Sequence, residues 1–372
     1  MAKFEPKYEI TNSIANNLIQ IERVKEGIKN LPINPKLLTS LRETAKMTTI
    51  HYSTQIEGNR LSLEEVYNVL KNPNKVISNT GRIRDEKEIK GYYIALDYIE
   101  KLIKEKATIT EKHIKQIHAL VEGGGNKKVK PTEYREGQNI ITDFWSGNIV
   151  YMPPEAKDIP LLMKEFVNWI NTTKDIPVPI KTAIIHYQFV TIHPYFDGNG
   201  RTARLLSGYI MDLNGYGFNG IGSLEEYFAY DIDEYYESIQ MGLPALYYSG
   251  RENPPHPGIW IHYFLRMVKL YSGKICDLQL ASEEEDIAGS LSFLKGREKE
   301  LLQFLIKNYR GEFTPIEVSR ELSVTNKTII NRLAVLVKNG FAVPILVNER
   351  IRSYELSEFT RDHEKEIMKI IS

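Results

Sequence analysis

Apolar residues in this 372-residue chain recur mostly three and four positions apart, in segments punctuated by turns such as NLPINP and GRENPPHPG. IKTAIIHYQFVTIH is apolar on nearly every side, which predicts a buried helix. The run RTARLLSGYIMDLNG sets Leu205, Leu206, Tyr209, Ile210 and Leu213 along one side and stops at Gly215, the pattern of a second helix packed on the first. LLTSLRETAKMTTIHYSTQIEGN, from Leu37 to Asn59, predicts a helix ended by Gly58 and Asn59, which suit a left-handed cap. LEEYFAYDIDEYYESIQMGL reads as one further helix. Period-two alternation replaces the helical pattern in TEYREGQNIITDFWSGNIVYMPPEA, which predicts a hairpin around Ser146-Gly147-Asn148 with Ile140, Ile141, Ile149, Val150 and Tyr151 in its arms.

These patterns divide the chain into a helical region over 1–109, a core over 110–250, a helical extension and linker over 251–295, and a distinct module over 296–372. Helix is expected from Pro257 to Leu280, with SEEEDIAGS as a polar connector. The module runs GREKELLQFLIKN, TPIEVSREL, TNKTIINRLAVLVKNG, then FAVPILV and RIRSYEL. Three helices and a hairpin resemble a winged helix-turn-helix. In its third helix Ile329, Leu333, Leu336 and Val337 would face the core, leaving Asn326, Lys327, Asn331 and Arg332 for a DNA groove and Arg350 and Arg352 for the wing. Glu317, Glu321 and Glu349 dilute that basicity, so a protein contact is an equal alternative.

Lys plus Arg equals Asp plus Glu at 48 each, so no global field draws the chain to nucleic acid or anionic membrane. One cysteine excludes an internal disulfide and argues against thiolate zinc sites, which fits a reducing cytoplasm. No run approaches the roughly 18 apolar residues of a membrane helix, and the first residues lack an apolar signal core.

The chemistry concentrates in HPYFDGNGRTAR, from His193 to Arg204. Pro194 discourages helix at His193, so the imidazole is expected at a helix end and exposed. Gly198, Asn199 and Gly200 suit a turn whose amides cup an anion, and the cup feeds the positive end of the next helix. Asp197 beside that cup would repel phosphate unless a divalent cation such as Mg2+ lay between them. Arg201 and Arg204, three apart, can each take phosphate oxygens. His193, with an ordinary pKa of about 6.5, is the group suited to accept a hydroxyl proton. The set describes transfer of a phosphorus group from a nucleoside polyphosphate to an alcohol.

This run is similar to the signature of the Fic family, HPFxxGNGRxxR, with Tyr195 in place of the usual Phe. The resemblance implies a mainly α fold, a Fic-type helical core with a small β-hairpin flap, and transfer of AMP from ATP to a Ser, Thr or Tyr hydroxyl of a target protein, which the chain itself can supply, with release of pyrophosphate. It implies His193 as general base, Asp197 as magnesium ligand, and nucleotide contacts from Gly198, Asn199, Gly200, Arg201, Thr202, Ala203 and Arg204. It places Tyr235 and Tyr236 near the adenine, and gives Ile149, Val150, Tyr151 and Met152 to a flap whose edge pairs with the target backbone.

STQIEG, from Ser53 to Gly58, resembles the inhibitory motif [S/T]xxxE[G/N] of the same family. By that resemblance Glu57 would pair with Arg204 and occupy the place of the γ-phosphate; in some relatives the same glutamate directs removal of AMP. A resting homodimer is expected by analogy. The competing class is a DNA-binding regulator that keeps the pocket as a nucleotide sensor, against which His193 and Asp197 argue, because a sensor needs no base. UMP, phosphate or phosphocholine remain alternative groups for transfer.

Overall fold

The computed structural model describes residues 4–29, 35–72, 82–142, 147–240, 257–347 and 350–371. They form two compact units, one ending at Cys276 and one running from Asp277. The expected 1–109 and 110–250 regions thus lie together in the first unit.

The first unit is helical: α1 (Asn12–Lys29), α2 (Pro35–Gln55), α3 (Leu63–Lys71), α4 (Ile83–Lys104) and α5 (Glu111–Glu122) precede a small hairpin of β1 (Ile141–Thr142) and β2 (Ile149–Tyr151). Then come α6 (Ile159–Thr172), α7 (Val178–Ile192), α8 (Asn199–Leu213), α9 (Leu224–Tyr230), α10 (Ile232–Gln240) and the first part of α11 (Pro257–Ser292). Helix α7 is the predicted buried helix, with Ile180, Ile184, Ile185, Phe189 and Ile192 inaccessible. Each such side chain contributes about 1.5–3 kcal/mol through burial. Helices α6 and α8 pack on α7, and α4 packs on both α5 and α8. The indole N–H of Trp260 donates to the Ala183 carbonyl at 2.8 Å, tying α11 to the same core.

Caps set several boundaries. Ser62 and Glu65 exchange side-chain and backbone hydrogen bonds in a capping box that starts α3, and the Thr110 hydroxyl accepts from His113 N–H to start α5. The segment read as one helix over 224–243 is two. Asp231 leaves helical geometry, and its carboxylate accepts from Glu234 N–H at 2.9 Å, capping α10 where continuous helix was expected. The final three residues of that reading lie outside the described residues.

The hairpin pairs Ile141 with Tyr151 and Thr142 with Ile149 across a bulge. Ile140 precedes the ladder, Gly147 and Asn148 belong to the turn, and Ser146 lies outside the described residues.

The SEEEDIAGS segment is helix within α11 and not a connector. Nothing in that stretch breaks a helix before Gly289, and Ile287 and Leu291, four apart, are buried in the core of the second unit. That unit continues with α12 (Gly296–Asn308), α13 (Pro315–Glu321), α14 (Asn326–Lys338), an antiparallel pair β3 (Ala342–Val347) and β4 (Arg350–Leu356), and the short helices α15 (Glu358–Asp362) and α16 (Glu364–Ile371). Ile329, Leu333 and Leu336 are buried with Leu302, Leu305 and Phe341, and Val337 is packed against them. Asn326, Lys327, Asn331, Arg350 and Arg352 are exposed, and Arg332 is half-buried. Asn348 and Glu349 lie outside the described residues.

Candidate functional site

The loop from His193 to Gly198 joins the two central helices and is fastened from several sides. His193 caps α7 in the left-handed region (φ 50°, ψ 60°), a conformation that turns the chain out of the helix ahead of Pro194. Asn199 spans the loop: its carbonyl oxygen accepts from Tyr195 N–H at 3.1 Å and its amide donates to Tyr195 C=O at 2.9 Å. Tyr195 is buried, its ring stacked on His118 with centroids 3.6 Å apart, so it fills the place beneath the loop where a Phe was the usual residue.

Arg135 supplies the strongest fastening. Its backbone N–H donates to Pro194 C=O, Nε to His193 C=O at 2.9 Å, Nη1 to Gly137 C=O at 2.7 Å and Nη2 to Pro154 C=O. One buried guanidinium thereby joins the loop after α7 to both approaches of the hairpin. His118 Nε2 lies 2.9 Å from Asp197 C=O and holds the other end of the loop. Sequence reasoning singled out neither residue. His118 carried a signal, a histidine on the apolar side of EKHIKQIHALVE, but Arg135 stands at the start of the hairpin segment, where the alternation marks the strand arms and not an arginine that reaches past them.

His193 is half-buried and not exposed as expected, because the left-handed cap tucks the ring against the end of α7. Burial, reinforced by the Arg135 charge, pulls its pKa down to about 4 against the opposing effect of the Val190 carbonyl. The ring is therefore neutral at pH 7. Nδ1 lies 3.2 Å from Val190 C=O and carries the proton, which leaves the Nε2 lone pair to accept another.

Gly198 begins α8 in the left-handed region (φ 74°), and its N–H donates to the Asp197 carboxylate at 2.6 Å. The first helical amides, of Asn199, Gly200 and Arg201, have no acceptor one turn back. Together with the helix dipole they make an anion cup. Thr202 N–H is already bonded to Gly198 C=O at 3.0 Å, and the side chains of Thr202 and Ala203 are wholly buried, so these two face the core and not the cup.

Carboxylates answer both arginines of α8. Arg201, buried, places Nη2 3.0 Å from Glu122 and 3.3 Å from Asp197. Burial holds the Glu122 carboxyl above its ordinary range, against the pull of Arg201. Asp197 is largely exposed, with Arg84 Nη2 4.0 Å from its outer oxygen. Arg204 is fully buried: Nη2 donates to Glu57 Oε1 at 2.7 Å and to Ser53 C=O at 2.7 Å, Nε to the Ser53 hydroxyl at 2.8 Å, and Nη1 to the Tyr235 hydroxyl at 3.3 Å. Burial opposes the Arg204 charge, but Glu57 outweighs it and raises the pKa further.

Glu57 reaches this point because α2 ends as predicted. Gly58 takes φ 89°, Gly58 N–H donates to Gln55 C=O and Asn59 N–H to Thr54 C=O, which is a Schellman turn with Glu57 at its cap. Asn59 ties the turn to α4 by donating to Asp85 C=O and Glu88 at 3.0 Å each. A Cβ on Gly200 would stand 2.2 Å from Glu57 Oε1, so this carboxylate occupies the space over the first turn of α8. A cavity of about 390 Å³, bordered by Glu57, Gly58, Arg60, Arg82, Arg84, Asp85 and Glu88, opens beside the turn.

The tyrosine pair divides its work. Tyr235 is buried with its hydroxyl on Arg204, whereas Tyr236 is exposed in part and donates to Ile56 C=O at 3.0 Å, steadying the Glu57 turn. In the hairpin Ile149 is exposed and Val150 and Met152 are half-buried, while Tyr151 is buried and donates its hydroxyl to Thr191 C=O at 2.8 Å. Gln240 donates to Val150 C=O at 2.8 Å.

Among the described residues no cluster of three His, Cys, Asp or Glu side chains is arranged to hold a metal ion, and no helix is long and apolar enough to cross a membrane. A divalent ion here would take Asp197 as its protein ligand and phosphate and water oxygens for the rest, which suits Mg2+. The exposed carboxylate of Asp197 fits that role.

Fold and site thus define a helical protein in which a carboxylate from a second helix covers the open amides of a helix N-terminus. Residues 108–211 match the Fic/DOC family. The chain is 31% identical over 201 residues to the protein adenylyltransferase Fic of Drosophila grimshawi, covering 54% of this chain and 40% of that protein. It is 33% identical over 201 residues to that of Drosophila mojavensis, covering 54% and 38%. The chain therefore spans about two fifths of the length of these relatives. A Fic family protein from Desulfovibrio desulfuricans G20 superposes with a TM-score of 0.58 at 20% identity, covering 95% of this chain and 99% of that one. Fic-1 from C. elegans gives 0.55 at 23%, covering 73% of each. This chain carries a Fic domain and has the mainly α fold of Fic family proteins.

Proposed function

We propose that this chain is a protein adenylyltransferase that moves AMP from ATP to a Ser, Thr or Tyr hydroxyl of a target protein and is held at rest by Glu57. The observation that carries this reading is the buried Arg204 paired with Glu57 directly over the amide-lined start of α8. A nucleoside triphosphate seated there would bring its inner phosphates to the free amides of Asn199, Gly200 and Arg201. Its terminal phosphate would need the guanidinium that Glu57 now holds. Arg201 would exchange Glu122 and Asp197 for phosphate oxygens, and Asp197 would hold Mg2+, whose charge offsets that of the phosphates.

In the reaction the target hydroxyl oxygen bonds to the α-phosphorus as the bond to the β-phosphate oxygen breaks and pyrophosphate leaves. The hydroxyl proton passes to His193 Nε2, the free nitrogen of a neutral ring. Arg135 and His118 keep that ring and the cup in register by holding the carbonyls on either side. The hairpin would receive the target segment along its edge. Incubating the Glu57→Gly protein with labelled ATP, UTP or CTP and weighing the products by intact mass spectrometry tests donor and reaction together. A gain of one AMP from ATP alone supports the reading, whereas no nucleotide-dependent mass gain on the chain or on added protein removes it.

The second unit supports a further reading, contact with DNA in the manner of a winged helix. Lys327 and Asn331 on α14 and Arg350 and Arg352 on the hairpin are exposed, as groove and phosphate contacts require. Retention on duplex DNA at low salt that weakens steeply with added salt is the expected result, and no retention at low salt rejects it.

A further inference from the structure

Arg204 is also the outer member of a chain of four side chains that runs into the core. Its Nη1 faces the Tyr235 hydroxyl at 3.3 Å, that hydroxyl lies 3.0 Å from His186 Nε2, His186 Nδ1 lies 3.2 Å from the Ser207 hydroxyl, and Ser207 donates to Ala203 C=O at 2.8 Å. All four side chains are buried, on α7, α8 and α10.

One arrangement gives every donor in this chain an acceptor. A guanidinium has no acceptor, so the Tyr235 oxygen must accept from Arg204. In that arrangement its single proton goes to His186 Nε2, with the His186 proton on Nδ1. Ser207 spends its own proton on Ala203, so its oxygen is free to accept from Nδ1. Burial, with the Arg204 charge, pulls the His186 pKa down to about 3, which agrees with a neutral ring.

We propose that His186 and Tyr235 are positioning residues that orient the Arg204 guanidinium for a terminal phosphate, so that the Tyr235 hydroxyl serves the phosphate end of the nucleotide and not the adenine. This rests on the reading of Arg204 given above. Glu57 and Ser53 both reach Arg204 from the end of α2, and a displacement of that end removes both at once. The Tyr235 hydroxyl, on a separate helix, then remains as the side chain that fixes the guanidinium. Buried hydrogen-bonded chains of this kind, when fully satisfied, hold a charge in one orientation.

The test compares ATP and AMP binding by calorimetry in the Glu57→Gly protein and the same protein with Tyr235→Phe, His186→Leu or His186→Gln added. Tyr235→Phe and His186→Leu should weaken ATP about five- to tenfold, the equivalent of one ordinary hydrogen bond, and leave AMP unchanged. His186→Gln, which keeps an acceptor toward Tyr235, should recover most of the loss. Equal weakening of ATP and AMP, or unchanged ATP binding, overturns the proposal. Nitrogen-15 NMR of the unsubstituted protein at pH 7 tests the chain without mutation: a neutral His186 protonated on Nδ1 is expected, and protonation on Nε2 rules it out. If the Glu57→Gly protein itself binds ATP no more tightly than AMP, Arg204 is not the terminal-phosphate contact and the role proposed for His186 and Tyr235 falls with it, whereas changed binding in the variants alone leaves the adenylyltransferase reading standing.

Discussion

Arg204 and Glu57, 147 residues apart in the chain, meet at 2.7 Å with the guanidinium fully buried and the carboxylate about a quarter exposed. The charge on Arg204 is thus answered by a group that sits over the amides at the start of α8. Glu57→Gly should raise ATP-dependent labelling at least about tenfold, which requires only about 1.4 kcal/mol of relief. Leaving Arg204 without its carboxylate should also cost about 1–3 kcal/mol of stability, moderated by water reaching the partly open site. Calorimetric melting checks both together, since ATP should restore stability to Glu57→Gly more than to the unsubstituted protein.

Gly200→Ala separates loss of the Glu57 contact from gain of activity. The added Cβ would stand 2.2 Å from Glu57 Oε1 and 3.2 Å from Arg204 Nη1, so the pair must part. The same methyl would intrude on the cup, so this variant should bind ATP more weakly than Glu57→Gly and stay poorly active. Activity equal to that of Glu57→Gly would show that the space over Gly200 is not where phosphate sits.

His193→Ala should lower transfer about 10²- to 10⁴-fold while ATP binding in the Glu57→Gly background changes little, because in the proposed reaction the ring acts on the hydroxyl and not on the phosphates. With a folded pKa of about 4 the ring is already neutral, so the rate should stay flat between pH 6 and 8. A rate that climbs tenfold per pH unit through that range would contradict the assignment.

Acid should unfold the first unit through its histidines. Burial holds His118 and His193 near about 4 and His186 near about 3, below the ordinary 6.5. Between about 6.5 and 4 the unfolded chain binds protons that the folded chain refuses, so stability is complete above 6.5 and falls as pH drops. Each group contributes a slope of at most about 1.4 kcal/mol per pH unit. Urea unfolding at pH 7, 6 and 5 measures it, and His118→Gln should flatten the dependence.

Arg135→Ala should be the most damaging change outside the signature, since three carbonyls lose a charged donor in a buried setting. A loss of about 2–4 kcal/mol is expected, with transfer rate falling more than ATP affinity because His193 C=O is among the three. Arg135→Lys should recover little, as an ammonium cannot span the three acceptors. Thermal melts and single-turnover rates give the two readouts.

Local pattern determined much of this protein. The apolar runs set α7 and α8, the His-Pro and Gly-Asn-Gly steps set the loop between them, and Gly58 ended α2 where the left-handed cap requires it. These features depend on residues a few positions apart, which a sequence displays directly. Long-range packing decided the rest. Asp231 split a segment whose periodicity looked continuous, and Ile287 and Leu291 drew a polar stretch into α11 because a second core lay there to receive them. The neutral half-buried His193, the grip of Arg135 on the His193 and Pro154 carbonyls and the diversion of Tyr235 to Arg204 all arise where segments far apart in the chain converge. Desolvation and hydrogen-bond partners at such points belong to the assembled core, and no spacing along the chain encodes them.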